Sequence, residues 1–439
     1  MAATAASWGR YPRAEHRQLL PLYSRSAPLP AFEGTALPHG NGRSYGDSCL
    51  NPGGTLLQTR PLDRFIAFDP ASGLLECEPG VTLGEIIDLV LPQGWFLPVT
   101  PGTRFATVGG AIANDVHGKN HHRLGSFGHH VRQFELLRSD GSRRICAPGD
   151  DWFAATVGGL GLTGLVTRAT LQLRRVPGPA LESENIRFGT LDEFFALSRE
   201  SAASHEYSVA WIDCLARGRN LGRGHFSRAN HAAQLPGERP PAPRRQLSMP
   251  LTPPLSLVNG LSLRLFNAAY YWRQPARHKR SACHLLPFFY PLDGIGQWNR
   301  MYGPRGFLQY QCVLPPAEAG AGVAALLAEI ARAGTGSFLA VLKEFGGQPS
   351  PGMLSFPRPG TTLALDFPNG GDATLRLLQR LDRIVDEAGG AVYPAKDARL
   401  APASFQRAYP RWQDFSRFVD PRFSSGFWRR VTETPCNAS

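Results

Sequence analysis

Pro38-His39-Gly40-Asn41-Gly42-Arg43-Ser44-Tyr45-Gly46-Asp47-Ser48 decides the reading of this chain, together with a second stretch, Pro101-Gly102-Thr103-Arg104-Phe105-Ala106-Thr107-Val108-Gly109-Gly110-Ala111-Ile112-Ala113-Asn114. Both are rich in glycine and small hydroxyl residues. Such loops let backbone N–H groups converge on a pyrophosphate with no side chain in the way, so the pair points to a dinucleotide. Either loop alone is also an ordinary glycine-rich turn. Gly159-Leu-Gly-Leu-Thr-Gly164 has the GxGxxG spacing of a Rossmann fingerprint, but a helix-like segment precedes it and the strand-like Leu165–Leu173 follows, the reverse of what that fingerprint requires.

Outward from these loops, short β-rich runs recur between glycines, at Thr55–Thr59, Leu74–Glu78, Gln133–Leu137 and Leu165–Leu173. Helical patterning intrudes at Leu83–Leu91 and Trp152–Thr156. This is an α+β unit, and Val176-Pro-Gly-Pro179 reads as the linker that closes it. The run 229–256, rich in Pro and Arg, is expected to be mobile, because its composition cannot build a core. Leu257–Arg280 mixes Leu, Phe, Tyr and Trp with arginines. It reads first as an ordinary amphipathic helix and second as a face toward an anionic interface. Leu375, Leu378, Leu381, Ile384 and Val385 predict one helix over 372–390, stopped by Gly389-Gly390.

The 439 residues are 42% hydrophobic and 19% charged, enough for large cores in two or three structural units. The net charge of +12 suits an anionic substrate, a lipid surface or no dedicated partner. Nucleic acid is not expected, since no binding motif accompanies the charge. The seven cysteines are scattered without a CxxC pair, which favours a reducing compartment. No long apolar run and no signal-like N-terminus stand out, so a cytoplasmic protein, or one peripheral to a membrane, is expected. Five of the twelve histidines fall between His117 and His130. Gly118 and Asn120 break the helix that would align a ligand pair, so no metal is assigned. His117, beside the glycine turn, is instead the candidate to meet cofactor or substrate.

Taken together, Gly42-Arg-Ser-Tyr-Gly-Asp47, Pro101-Gly-Thr-Arg104, Thr107-Val-Gly-Gly-Ala-Ile-Ala113, His117-Gly-Lys-Asn-His-His122 and Gly125-Ser-Phe-Gly128 resemble the FAD domain of the decaprenylphosphoryl-ribose oxidase family, within the vanillyl-alcohol-oxidase superfamily. Trp211, Phe289-Tyr-Pro-Leu-Asp293, Gly306-Phe-Leu-Gln-Tyr-Gln311, Asp366-Phe-Pro368 and Tyr393-Pro-Ala-Lys-Asp397 extend the resemblance through the other half. It implies an α+β fold with a two-lobed PCMH-type FAD-binding domain over 1–179. A substrate cap with a mixed or antiparallel sheet and flanking helices would follow over 180–392, and a C-terminal segment over 393–439 would return to the first domain.

Carried over by position, the resemblance implies FAD contacts from 38–48, Gly102, Thr107, Val108, Gly109, Gly110, Asn114, Asp115, Val116, His117, Val166 and Tyr393. Arg43 stands where relatives carry a flavin-linking histidine, so the FAD is expected to be non-covalent. Lys396, His117 and Tyr45 are the catalytic candidates, Lys396 as the group that orients the reacting hydroxyl or stabilises its alkoxide. The plainer role for Lys396 is a surface lysine paired with Asp397. Lys119, Trp211, Tyr290, Gln309, Gln311, Lys343 and Ala364 match the family's substrate pocket. Ala364 replaces a cysteine and Thr362 an asparagine of the mycobacterial-type enzymes. Because that cysteine is the point of covalent attack by nitroaromatic inhibitors, such inhibition should be lost while oxidation survives. The implied substrate is a lipid-linked, phosphorylated ribose oxidised at its 2-hydroxyl, with a separate short-chain reductase as partner. The alternatives are a soluble alditol or aldonolactone oxidase that uses dioxygen, and a binding protein that has lost turnover.

Overall fold

The computed structural model describes residues 3–233 and 247–432. Its N-terminal lobe is built on two main sheets, beside two short two-stranded ones. β1 (Gln18–Pro21), β2 (Ala36–His39) and β3 (Thr55–Gln58) form a parallel sheet in the order β1-β3-β2. β4 (Phe65–Asp69), β5 (Leu74–Cys77), β6 (Val131–Leu137), β7 (Arg143–Cys146) and β8 (Leu165–Gln172) form an antiparallel sheet in the order β7-β6-β8-β5-β4. Helices α1 (Leu83–Val90), α2 (Val108–Ala113) and α3 (Asp151–Thr156) are the lobe's longest. α1 starts where the sequence says it should, because Thr82 and Glu85 close a reciprocal capping box. The GxGxxG stretch joins α3 to β8, so helix precedes and strand follows.

The second lobe is an eight-stranded antiparallel sheet. Its strands are β9 (Ala180–Phe188), β10 (Tyr207–Ile212), β11 (Gly224–Ala232), β12 (His278–His284), β13 (Phe307–Leu314), β14 (Val341–Phe345), β15 (Gly360–Pro368) and β16 (Ala391–Val392). They run in the order β12-β9-β11-β10-β14-β15-β13-β16. Its long helices are α4 (Leu191–Ser204), α5 (Gly260–Trp272), α6 (Ala319–Ala333) and α7 (Asp372–Glu387). On α7, Leu378, Leu381 and Val385 are buried, as their spacing predicts, and Gly389 follows with φ +66°. Burying each such side chain contributes about 1.5–3 kcal/mol. α8 (Pro402–Ala408) then packs on α9 (Gly426–Thr432), α9 reaches the end of the first glycine loop through Arg430, and Ala36 bridges to Phe423. One hydrophobic core runs from Leu37 and Leu56 of the first lobe to Leu365 and Leu381 of the second, so the lobes are welded rather than hinged.

Two expectations for the middle of the chain change. Ala229–Ala232 is no mobile loop but the end of β11, with Ala229 fully buried and paired to Ser183 and Tyr207. Residues 234–246 of the same run lie outside the described residues. The helix read into Leu257–Arg280 stops at Trp272, and His278–His284 is the edge strand β12 paired to β9, since sheet pairing overrides local patterning. No helix among the described residues is long and apolar enough to cross a membrane.

Candidate functional site

A cavity of about 650 Å³ runs between the lobes, a size suited to a large ligand. On one side it is walled by Gly40, Asn41, Gly42, Arg43, Ser44, Tyr45, Ser48, Gly102, Thr107, Gly109, Gly110, Asn114, Val116 and Val166. On the other stand His117, Lys119, Trp211, Gln309, Gln311, Lys343, Ala364, Tyr393 and Lys396. Strand alternation explains the second wall. Side chains two apart share a face, and the registers set Gln309 opposite Asp366, Gln311 opposite Ala364, Lys343 opposite Thr362 and Trp211 opposite Val341. The intervening Leu342, Leu363 and Leu365 turn to the core.

The glycines of the first loop are dictated by close backbone approach. A Cβ on Gly40 would lie 2.4 Å from the Thr107 hydroxyl, and one on Gly46 would lie 1.5 Å from the Asp397 carbonyl oxygen. The backbone N–H groups of Asn41, Gly42, Arg43 and Ser44 make no hydrogen bond among the described residues, although these residues wall the cavity. The buried Ser48 hydroxyl beside them is also without a partner. Free donors on a cavity wall fit a phosphate-bearing cofactor. The second glycine stretch is used differently from the first. The N–H groups of Val108, Gly109 and Gly110 are consumed by Val81, Pro79 and the Thr107 hydroxyl, so this turn shapes the wall instead of donating to a ligand.

Some sequence candidates do not reach the cavity. His39 turns its Nδ1 to the Cys49 carbonyl at 2.9 Å. Gly46 is spent on the contact with Asp397, and Asp47 is held by Arg430 at 2.8 and 3.0 Å. Val108 is core. Asp115, at φ +39°, is fully buried and accepts from Gly128 N–H at 2.9 Å and the Ser355 hydroxyl at 2.6 Å. The Tyr290 hydroxyl lies 2.5 Å from that of Thr100, a wall residue, and Tyr290 itself does not line the cavity. These six support the wall from behind. The clustered histidines also separate, His121 toward Gly346, His122 toward His205 and His130 toward Leu124.

At the chemical end, the Lys396 ammonium lies 3.7 Å from the centroid of the Tyr45 ring. Burial pushes its pKa down to about 7, against the pull of the Asp366 charge. Asp397 does not pair with it, because that carboxylate turns to Arg430 at 2.8 Å. Asp366, inside β15, receives Gln309 Nε2–H at 2.7 Å and the Tyr302 hydroxyl at 3.3 Å, and burial raises it to about 6. His117 Nδ1 faces Lys343 Nζ at 3.3 Å, and its Nε2 is 2.9 Å from the Gln311 amide. Burial, and then the Lys343 charge, hold this imidazole well below its usual pKa, so it is neutral. A neutral ring accepts at one nitrogen only, and the Gln311 amide nitrogen can only donate, so Nε2 accepts from Gln311 and the ring proton sits on Nδ1, facing the Lys343 amine. Lys343 is pushed down to about 7 by burial and then by Lys119 and Lys396, and Lys119 to about 8 by burial. Three amines therefore line one cavity, which favours an anionic occupant.

Sequence reasoning missed Asp366 as a site residue, although an acid among Leu363, Leu365 and Phe367 is a buried charge that needs partners. It also missed that Leu160, Gly161 and Gly164 of the GxGxxG stretch wall the same cavity.

Residues 31–147 match the FAD binding domain family. The chain is 40% identical, over 89% of its length and 88% of the relative's, to decaprenylphosphoryl-β-D-ribose oxidase of Mycolicibacterium smegmatis. The chain belongs to the decaprenylphosphoryl-β-D-ribose oxidase family. As a member of that family it is an FAD-dependent oxidoreductase of PCMH-type fold. It is also 38% identical, over 80% of its length and all of the relative's, to an uncharacterized protein from the mprA 5' region of Streptomyces coelicolor. Its likeness to the alditol oxidase of a Streptomyces species is 31% over 36% of the chain and 37% of that relative, and so covers only part of what the decaprenylphosphoryl-β-D-ribose oxidase match spans.

Proposed function

We propose that FAD is held, without a covalent bond, along Gly40–Tyr45, Gly102, Thr107, Gly109, Gly110, Asn114, Val116, His117, Val166 and Tyr393, and that the protein oxidises the 2-hydroxyl of a polyprenylphosphoryl ribose to the 2-keto sugar. The arrangement that carries this reading is Lys396, Tyr45 and His117 at one end of a cavity that also holds Lys343 and Lys119. Bound FAD supplies the acceptor for the hydride that leaves the carbinol carbon. Lys396, with a pKa near neutrality, takes the hydroxyl proton at Nζ while the Tyr45 ring and Asp366 keep that amine in place. Neutral His117, its Nε2 accepting from the Gln311 amide, orients that amide at the sugar end, and Lys343 and Lys119 bind the phosphodiester. Trp211 and Tyr270, with rings 4.5 Å apart, wall the sugar. The keto product is then reduced on the other face by a separate short-chain reductase, completing an epimerisation.

Anaerobic mixing of the yellow protein with a polyprenylphosphoryl ribose should bleach the flavin, whereas free ribose and free alditols should not. Bleaching by free alditols with peroxide release in air would replace this reading with a soluble alditol oxidase. No bleaching by either would leave a binding protein.

A further inference from the structure

Among the described residues, most of the exposed large apolar side chains fall between residues 247 and 295. Helix α5 is turned inside out. Its inward stripe is Leu263, Asn267 and Tyr271, the last two spent on hydrogen bonds to Asp213 and the Phe188 carbonyl, while its outward stripe carries Leu261, Leu265 and Trp272 at 70, 64 and 60% exposure. The segment before it adds Leu247, Leu251 and Leu255, each at least 76% exposed. Scattered surface leucines are commonplace, but this many exposed within one stretch of chain mark a contact surface.

Three further features say what covers it. Between Glu238 and Asp293 the sequence has no Asp or Glu, while Arg264, Arg273, Arg277, Lys279 and Arg280 lie within the described part of that span. Arg264 and Lys279 are exposed and make no ion pair among the described residues. The surface also adjoins the cavity: Leu247 pairs in parallel with Ile295, Ile295 and Gln297 are exposed residues of the cavity wall, and Phe266 of α5 stacks on Tyr270, another wall residue.

We propose that the outward face of α5 and the segment 247–257 dock on an anionic lipid bilayer, with the cavity mouth at Ile295 held at headgroup level. Leucines and Trp272 enter the acyl boundary, and the arginines meet lipid phosphates. The lipid-linked substrate proposed above gives this surface its purpose, since the sugar phosphate then enters the cavity without its chain leaving the membrane.

The test is co-sedimentation of the full-length, FAD-loaded protein with phosphatidylcholine vesicles, with and without phosphatidylglycerol, and with no sugar lipid, so that vesicle binding is read whether or not the flavin is ever reduced. Binding should require phosphatidylglycerol and weaken with salt. The variant Leu251→Glu/Leu261→Glu should bind at least about tenfold less, because both side chains lose their apolar insertion. Its flavin absorbance and melting midpoint should stay unchanged, as both positions are solvent-exposed. Absence of vesicle binding, equal binding to neutral vesicles, or binding untouched by the double substitution would overturn the proposal. So would a wild-type dimer that the variant dissociates, which would make the face a contact between two copies.

Discussion

Lys396 differs from a surface lysine in one measurable way: it has traded solvent for the face of Tyr45 and the field of Asp366. Lys396→Ala should therefore retain FAD and lose on the order of a hundredfold to a thousandfold in turnover, roughly 3 to 4 kcal/mol of transition-state stabilisation. Lys396→Arg should not rescue it, because a guanidinium is larger and keeps its proton at working pH. Anaerobic flavin reduction alongside bound FAD content decides this. Normal reduction in the alanine variant would remove Lys396 from the chemistry, and loss of FAD would make it a cofactor ligand. Arg43 carries a second expectation at this scale. Its guanidinium lies 4.4 Å over the Trp8 ring and its Nη1 donates to the Asn41 carbonyl, so position 43 offers the flavin no imidazole. Acid precipitation should release the FAD to the supernatant; yellow pellets would contradict non-covalent binding.

Between elements, Arg430 of α9 is the tie that holds the first glycine loop to the C-terminal segment. It donates to Asp47 at 2.8 and 3.0 Å, to Asp397 at 2.8 Å and to the Leu400 carbonyl at 2.6 Å. Arg430→Met leaves two buried carboxylates side by side, at a cost of about 3–5 kcal/mol. The variant should melt lower and hold less FAD. Asp397 is kept below its usual pKa by the Arg430 charge despite its burial, so its contribution is present above pH about 4 and is lost as pH falls through the depressed value. The gap in melting midpoint between variant and wild type should accordingly be widest near neutrality and close in acid. An unchanged midpoint at pH 7 would mean the tie is dispensable. Local elements such as α1 and α7 were legible because capping and periodicity are written within a turn or two. Edge strand β12 was not, because only its pairing with β9 makes it a strand.

Across the whole molecule, joining the lobes places Lys119, Lys343 and Lys396 on one cavity wall, and this sets the pH response of binding. In the free protein Lys343 and Lys119 titrate near 7 and 8. An anionic ligand stabilises their charged forms and raises both values. Its affinity contribution is therefore complete below the free values and fades as pH rises through the raised ones. A polyprenylphosphoryl ribose should bind more weakly as pH climbs from 7 toward 9, with proton uptake at pH 8, visible as a calorimetric heat that depends on buffer ionisation. Binding without proton exchange would show that these amines do not meet the phosphate.

What the sequence determined by itself was local or contiguous: the two glycine loops, the strands at Thr55 and Leu165, the helix at Leu375–Val385, and the family motifs that single out Lys396, His117 and Gln311. Glycine spacing and hydrophobic period are short-range signals, so they survive in one dimension. Tertiary structure alone decided which candidates face the cavity. Asp47, Asp115 and Tyr290 lie within the same motifs as their neighbours, yet each is claimed by a partner from elsewhere in the fold. It also decided that Asp397 belongs to Arg430 and that Asp366 belongs to the site, because a charge takes its partner and its pKa from what burial brings within a few ångströms, and strand alternation names the face of a side chain but never its neighbour.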